Sequence, residues 1–136
     1  PWVVDYLLER TEKHKPVAIV VDGRSGANAI VPQLTEALKD AGLLAGLQEQ
    51  EITVLGSQEH AQACGVFVDD VQQLTLRHLG QPAMVEALRG ACKRNMTDAW
   101  AWNRKDSTVN ITPLVGCTLA NFVIKTMQVG IPRVWV

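Results

Sequence analysis

The chain has 136 residues, of which 47% are hydrophobic and 20% are charged, the proportions of an ordinary soluble globular protein with a real core. The formal net charge of -1 excludes a globally basic nucleic-acid-binding chain. Any contact with DNA therefore has to come from a local basic patch. No internal repeat or linker is visible, so we expect a single domain over residues 1–136.

Cysteine usage and the apolar C-terminal run restrict the class of protein further. The three cysteines are Cys64, Cys92 and Cys117. They are odd in number and far apart, which indicates reduced thiols in a cytosolic protein and no zinc or disulfide framework. The apolar run over residues 114–129 is interrupted by Asn121 and Lys125, which favours a buried helix over a membrane span.

The first half of the chain predicts a βαβ unit behind an opening helix. Apolar residues at helical spacing predict a helix to about His14, which Pro16 ends. A β-branched run then predicts a strand over residues 17–21, followed by a helix from about Ile30 to Gly42 and a strand over residues 52–55. Strand, helix and strand within forty residues imply parallel pairing through a crossover.

The second half predicts three helices and an extended excursion. The helices run from Ser57 to about Val71, from Pro82 to about Ala91 and from Thr112 to about Gln128. Asp69 and Asp70 are predicted on the solvated side of the first of these. Residues 99–102 and 109–111 are read as short extended pieces, separated by a charged stretch that suggests a hairpin.

Asp22 is the first candidate for a functional role. It stands where the first strand ends, before a glycine-containing turn and a helix, and open α/β sheets place ligands at this edge. The alternative is that Asp22 is a turn or cap residue. The turn that follows lacks the P-loop and dinucleotide patterns, although the helix after Gly26 offers N–H groups to a phosphate.

Carboxylates remain the main candidates for catalysis. Magnesium-dependent phosphoryl chemistry needs hard oxygen ligands that converge from separate elements. Partners for Asp22 are expected in the C-terminal third, where Asp98, Asp106 and Asn110 occur. Two basic pairs, Lys93-Arg94 and Arg104-Lys105, flank the same region and are candidates for contacts with a phosphate backbone, a solvated hairpin being the alternative.

Five segments of the chain, taken in order, carry a resemblance to a known protein family. They are Val20-Val21-Asp22-Gly23-Arg24, Ala61-Gln62-Ala63-Cys64-Gly65-Val66-Phe67, Leu76-Arg77-His78-Leu79-Gly80-Gln81-Pro82, Asp98-Ala99-Trp100-Ala101-Trp102 and Ile111-Thr112-Pro113-Leu114-Val115. In this order they resemble the C-terminal nuclease domain of large terminase subunits from tailed phages of actinobacteria. The resemblance covers the chain from Trp2 to about Phe122.

The resemblance implies a fold, an activity and partners. The fold would be RNase H-like, an α/β arrangement with a mixed sheet flanked by helices, here lacking its first strands. The activity would be a DNA endonuclease with two Mg²⁺ or Mn²⁺ ions that cuts concatemeric DNA during packaging. An ATPase motor domain would precede this chain, which begins at Pro1 without an initiator methionine. The implied partners are double-stranded DNA, the phage portal and the small terminase subunit, in the host cytoplasm and without a membrane.

The resemblance also implies site residues. Asp22 matches the second of three acidic positions; the first would lie before Pro1, since Asp5 stands in the opening helix. The third position is matched to Asn110 by its place before the last helix and to Asp98 by its chemistry, because asparagine has a carbonyl oxygen but no charge. The DNA-contacting candidates are Arg24, His78, Arg104 and Lys105.

A non-catalytic interpretation stands beside the nuclease. Asn110 in place of an aspartate favours a degenerate α/β module that only binds DNA or packaging partners. Trp100 and Trp102 share one face of their predicted strand by alternation. Packing against helices is the favoured role for these tryptophans, with nucleotide stacking as the alternative.

Overall fold

The computed structural model describes residues 2–105 and 107–127, and it is a mixed α/β structure with two small sheets. The helices are α1 (Trp2–His14), α2 (Val31–Asp40), α3 (Ser57–Gln72), α4 (Pro82–Gly90) and α5 (Thr112–Met127). The strands are β1 (Val20–Asp22), β2 (Thr53–Leu55), β3 (Cys92–Asn95) and β4 (Trp100–Asn103). Contacts divide the described chain into a first unit, residues 2–56, and a second unit, residues 57–126. The expectation of a single domain stays a prediction.

The first unit contains the predicted βαβ arrangement. Strands β1 and β2 pair in parallel, with Asp22 opposite Leu55, and α2 lies between them in the chain. The predicted parallel pairing is therefore confirmed. The core of this unit is formed by buried side chains from α1, α2 and the segment before β2: Val4, Leu34, Leu38, Leu47 and Ile52.

Helix α2 begins after a short 3-10 turn over Gly26–Ile30, so the chain turns helical earlier than the apolar spacing predicted. Ser25 caps this turn, because its hydroxyl accepts a hydrogen bond from the N–H of Ala27 at 3.2 Å. Pro32 lies in the first turn of α2, where a missing N–H costs nothing. The helix ends at Asp40, and Gly42 follows with a φ of 72°.

The second unit contains an antiparallel hairpin, β3 with β4, in which Lys93 pairs with Trp102 and Asn95 with Trp100. The predicted extended piece over residues 109–111 forms no strand, and the partner of β4 precedes it in the chain. The residue before this segment is held by a backbone hydrogen bond, in which the N–H of Thr108 donates to the carbonyl of Gly90 at 3.2 Å. Strand β3 was not predicted because it contains the charged pair Lys93-Arg94. Its pairing depends on hydrogen bonds between backbone groups, which side-chain charge does not determine.

Trp102 packs in the core of the second unit. Its ring meets that of Phe67 edge-on at 6.3 Å between centroids, and its indole N–H donates to the hydroxyl of Thr118 at 3.0 Å. The neighbouring core residues are Met84, Ala87 and Leu114. The favoured packing role of this tryptophan is confirmed, since its polar N–H is satisfied inside the protein.

Asp70 corrects a prediction about α3. Asp69 is exposed as expected, but Asp70 is only 5% exposed and is not on the solvated side. Its carboxylate accepts hydrogen bonds from Thr75, Asn121 and Lys125, so the charge is compensated inside the unit. These bonds lower the pKa of Asp70, with the Lys125 bond as the largest cause and burial opposing it.

Helix α5 is the predicted apolar C-terminal helix. It begins at Thr112, with Pro113 in its first turn, and its described part ends at Met127. Gln128, where the helix was predicted to end, lies outside the described residues, as does Asp106. Over residues 2–105 and 107–127, no helix is long and apolar enough to cross a membrane.

Candidate functional site

Asp22 is the last residue of β1 and is 8% exposed. One carboxylate oxygen accepts a hydrogen bond from the N–H of Arg24 at 3.0 Å. Its backbone carbonyl accepts from the N–H of Ser25 at 3.0 Å and from the Ser25 hydroxyl at 2.8 Å. Asp22 therefore has both features that the sequence left open, a place at the carboxyl end of a parallel strand and a role in organising the turn.

Gly23 fixes this turn against the neighbouring strand. Its N–H donates to the carbonyl oxygen of Leu55 at 2.8 Å. A Cβ atom at Gly23 would lie 2.9 Å from that oxygen and 2.9 Å from Cγ1 of Val54. Only glycine permits so close an approach without a shift of the backbone. The position of the Asp22 carboxylate thus depends on a contact between the turn and β2.

Backbone amides of the turn after Asp22 donate hydrogen bonds within the turn itself. The Ser25 hydroxyl accepts from the N–H of Ala27, and the Ser25 carbonyl accepts from the N–H of Asn28 at 3.2 Å. These donors would otherwise face a phosphate at a helix N-terminus. The Arg24 side chain is exposed beside them. The structure therefore makes the Arg24 guanidinium, rather than the turn amides, the stronger candidate for a contact with an anion.

Asp98 is exposed at the tip of the β3–β4 hairpin, which the N–H of Met96 closes by donating to the carbonyl of Ala99 at 2.9 Å. The tip and the first turns of α3 line a shallow groove of about 620 Å³. Its polar lining residues are Ser57, Gln58, Gln62, Thr97 and Asp98. Asp98 has the charge that a metal ligand needs, in a solvated setting.

Asn110 is exposed ahead of α5, and its side-chain oxygen accepts a hydrogen bond from the N–H of Thr112 at 3.0 Å. This contact satisfies an amide at the start of α5, and it uses one of the two lone pairs of the oxygen that would bind a metal. Asp98 lies at the hairpin tip between β3 and β4, whereas Asn110 lies in the segment that leads from β4 to α5. They are two separate positions, and both belong to the second unit, while Asp22 belongs to the first.

The basic candidates lie in turns. Arg104 and Lys105 follow β4 directly and are exposed, and the Lys105 N–H donates to the side-chain oxygen of Asn103 at 3.1 Å. His78 is also exposed, and its Nδ1 accepts from the N–H of Gly80 at 3.0 Å, which stabilises the turn before α4. Of these positions, the pair Arg104-Lys105 offers two adjacent exposed cations.

A contact that the sequence analysis missed lies on the same hairpin. The Lys93 ammonium stands over the ring of Trp100 at 4.3 Å from its centroid. Trp100 in turn meets Trp102 edge-on at 4.9 Å. The signal was present in the alternation of Trp100 and Trp102, but finding the lysine required knowing the register of β3.

The oxygen donors near Asp22 bear on the metal that the nuclease resemblance implies. Asp22 fits as one hard oxygen ligand, because it is a carboxylate at a strand end. Within the described chain, no three His, Cys, Asp or Glu side chains form a group that would hold a metal ion.

Comparisons with known proteins give no relative. No family model, curated protein or solved structure matches the chain.

Proposed function

We propose that this chain is part of the metal-dependent DNA endonuclease domain of a phage packaging terminase, with an RNase H-like fold and a place in the host cytoplasm. The observation that carries the proposal is Asp22. It ends a strand paired in parallel with β2, is nearly buried, and is fixed by the Gly23–Leu55 contact. A carboxylate at this edge of a parallel sheet has the position that a hard metal ligand requires.

The roles follow from the chemistry of each residue. Asp22 would bind one of two Mg²⁺ or Mn²⁺ ions, and Asp98 or Asn110 would supply a further oxygen. When bound, such ions activate the attacking water and stabilise the leaving oxygen of a phosphodiester. Arg24, Arg104, Lys105 and His78 would contact the backbone of double-stranded DNA. The portal and the small terminase subunit are the protein partners in this proposal.

The second candidate is a non-catalytic or degenerate module that binds DNA or packaging partners. Asn110 favours it, because its side-chain oxygen has no charge and already accepts the Thr112 N–H, which makes it a weaker metal ligand than a carboxylate. In such a module Arg104 and Lys105 would still contact DNA, whereas Asp22 would only organise its turn.

Nicking of supercoiled plasmid in Mg²⁺ or Mn²⁺ tests the proposal. The decisive variant is Asp22→Asn, which keeps an oxygen for the Arg24 N–H but removes the charge. The matched control is Asp40→Asn, which removes an exposed charge at the end of α2 in the same unit. We expect a loss of at least about 100-fold in nicking for Asp22→Asn and none for Asp40→Asn, since metal ligands contribute several kcal/mol to catalysis.

Two further variants assign the remaining ligand. Asp98→Asn abolishes nicking if the hairpin tip supplies the oxygen, and Asn110→Asp raises nicking if that position is one charge short. Equal nicking by the wild-type chain and Asp22→Asn contradicts the nuclease proposal. DNA binding without nicking in any variant, weakened by Arg104→Glu with Lys105→Glu, supports the non-catalytic module instead.

A further inference from the structure

Asp22 and Gly23 form the only Asp-Gly pair in the sequence, and no Asn-Gly pair occurs. The peptide bond between an aspartate and a glycine is the one most open to isomerisation without an enzyme, because glycine has no Cβ atom to hinder its own nitrogen. The end of β1 is therefore a candidate for covalent modification of the main chain.

The reaction joins the side chain of Asp22 to the main chain. The Gly23 nitrogen attacks Cγ of the carboxyl group in its acid form, and the N–H proton leaves with the hydroxyl group as water. The product is a five-membered succinimide. Water that adds at Cγ breaks the new N–C bond and restores aspartate, whereas water that adds at the main-chain carbonyl breaks the original peptide bond and gives isoaspartate. One water is lost and one is gained, so no further reactant is needed.

Hydrogen bonds in the folded chain oppose this attack. The Gly23 N–H donates to the carbonyl oxygen of Leu55 at 2.8 Å, so the attacking nitrogen has to leave β2 before it loses its proton. One oxygen of the Asp22 carboxylate accepts from the Arg24 N–H at 3.0 Å, which fixes the side chain in the turn. Asp22 is also only 8% exposed, which restricts the access of water to the reacting atoms.

The main chain at Gly23 lies directly against β2. A Cβ atom there would be 2.9 Å from the Leu55 oxygen and 2.9 Å from Cγ1 of Val54. The nitrogen therefore has little room to approach the carboxyl group until the turn and the strand separate. The rate of isomerisation in the folded chain is then the rate in the open form multiplied by the fraction of chains that are open.

We propose that the Asp22–Gly23 peptide is a site of isoaspartate formation that the contact with β2 suppresses, so that the modification occurs when the end of β1 opens. This reactivity does not depend on the nuclease proposal, because the same atoms react whether or not the carboxylate binds a metal. In isoaspartate the main chain runs through Cβ and Cγ and is one atom longer. The modified chain thus loses the spacing that places Asp22 opposite Leu55.

Incubation of the whole chain at pH 7, folded in buffer or unfolded in guanidinium chloride, tests the proposal. Trypsin releases residues 14–24 as one peptide, because it cleaves after Lys13 and Arg24 and because Pro16 blocks cleavage after Lys15. Chromatography separates the aspartate and isoaspartate forms of this peptide, and electron-transfer fragmentation assigns them. We expect isoaspartate at Asp22 to accumulate at least about tenfold faster in the unfolded chain.

The variant Leu55→Ala keeps the carbonyl that accepts the Gly23 N–H but removes a buried side chain of β2. We expect it to raise the rate in the folded chain by at least about tenfold, because a cavity in the core favours opening. The rate in guanidinium chloride should not change, because the reacting pair is the same. The matched control is Leu88→Ala, which truncates a leucine that is 41% exposed on α4 and should change neither rate.

Far-UV circular dichroism checks that each variant folds. The proposal is overturned by equal accumulation in the folded and unfolded wild-type chain, by no isoaspartate at Asp22 in the unfolded chain, or by a folded Leu55→Ala chain that isomerises no faster than the wild type. If Leu55→Ala does not fold, the comparison of the folded and unfolded wild-type chain decides.

Discussion

The buried carboxylate of Asp70 is expected to stabilise the second unit, and the substitution Asp70→Asn tests this. The carboxylate joins α3 to α5, since one oxygen accepts from Asn121 at 2.8 Å and the other from Thr75 at 2.9 Å and from Lys125. An amide of the same shape can accept on one side only and presents two N–H donors on the other. The substitution therefore leaves a donor facing a donor in a buried position.

The magnitude follows from the groups involved. Hydrogen bonds to a charged acceptor contribute about 1.5–3 kcal/mol each, and a mismatched buried donor costs about 1–3 kcal/mol. The Lys125 side chain is 45% exposed, so solvent screening makes its ion pair contribute much less than a buried pair. Asn121 is able to turn its own amide and recover one bond. We expect a loss of about 1–3 kcal/mol in the free energy of unfolding.

Urea unfolding at several pH values measures this loss, with Asp69→Asn as the matched control on the exposed side of α3. The pKa of Asp70 is lowered in the folded state from its ordinary value of 3.8. Its contribution is therefore fully present above that value and is lost as the pH falls through the lower, folded pKa. The difference between wild type and Asp70→Asn should shrink below about pH 4. Equal stability at pH 7, or a difference that persists unchanged to pH 2, would contradict this role of the Asp70 carboxylate.

Two further predictions concern a close approach and a buried thiol. Gly23→Ala should destabilise the first unit by about 1–3 kcal/mol in urea unfolding, because its Cβ would crowd the carbonyl of Leu55, while Gly26→Ala meets no neighbouring atom and serves as the control. Similar losses in both variants would argue against the close approach. Burial raises the pKa of the Cys64 thiol to about 11, so in the native chain a thiol reagent at pH 8 should modify Cys64 only on unfolding. The thiols expected to react in the folded chain are the exposed Cys92 and Cys117; early labelling of Cys64 would contradict this.

Local sequence patterns predicted most of the helices and strands, because apolar spacing and proline positions within a short segment determine where these elements form. The β-branched run before Asp22 and the apolar spacing of α2 were sufficient for a parallel βαβ unit, whose register follows from burial. The proline in the first turn of α4 and of α5 located both helix starts. What failed was non-local. The partner of β4 lies 5 to 11 positions away in the chain, and the burial of Asp70 depends on residues up to 55 positions away, which hydrophobic periodicity does not detect.

The candidate site shows the same division. The place of Asp22 at a strand end was readable from the sequence, and so was the tight turn at Gly23. Asn110 was read as a ligand position, yet the same residue type before a Thr-Pro helix start is also a typical cap, and the structure shows its side-chain oxygen accepting the Thr112 N–H. An asparagine side chain serves either role with the same oxygen, so composition alone does not separate them.

The binding of Mn²⁺ to Asp22 is the most direct test of the nuclease proposal. NMR spectra of the ¹⁵N-labelled chain detect this binding. A paramagnetic ion on this carboxylate should broaden the Gly23 and Arg24 amides first, because the Arg24 N–H bonds directly to the carboxylate. We expect this broadening to be lost in Asp22→Asn and retained in Asp40→Asn. Broadening of these amides that persists in Asp22→Asn, or its absence in the wild-type chain at millimolar Mn²⁺, would contradict the assignment of Asp22 as a metal ligand.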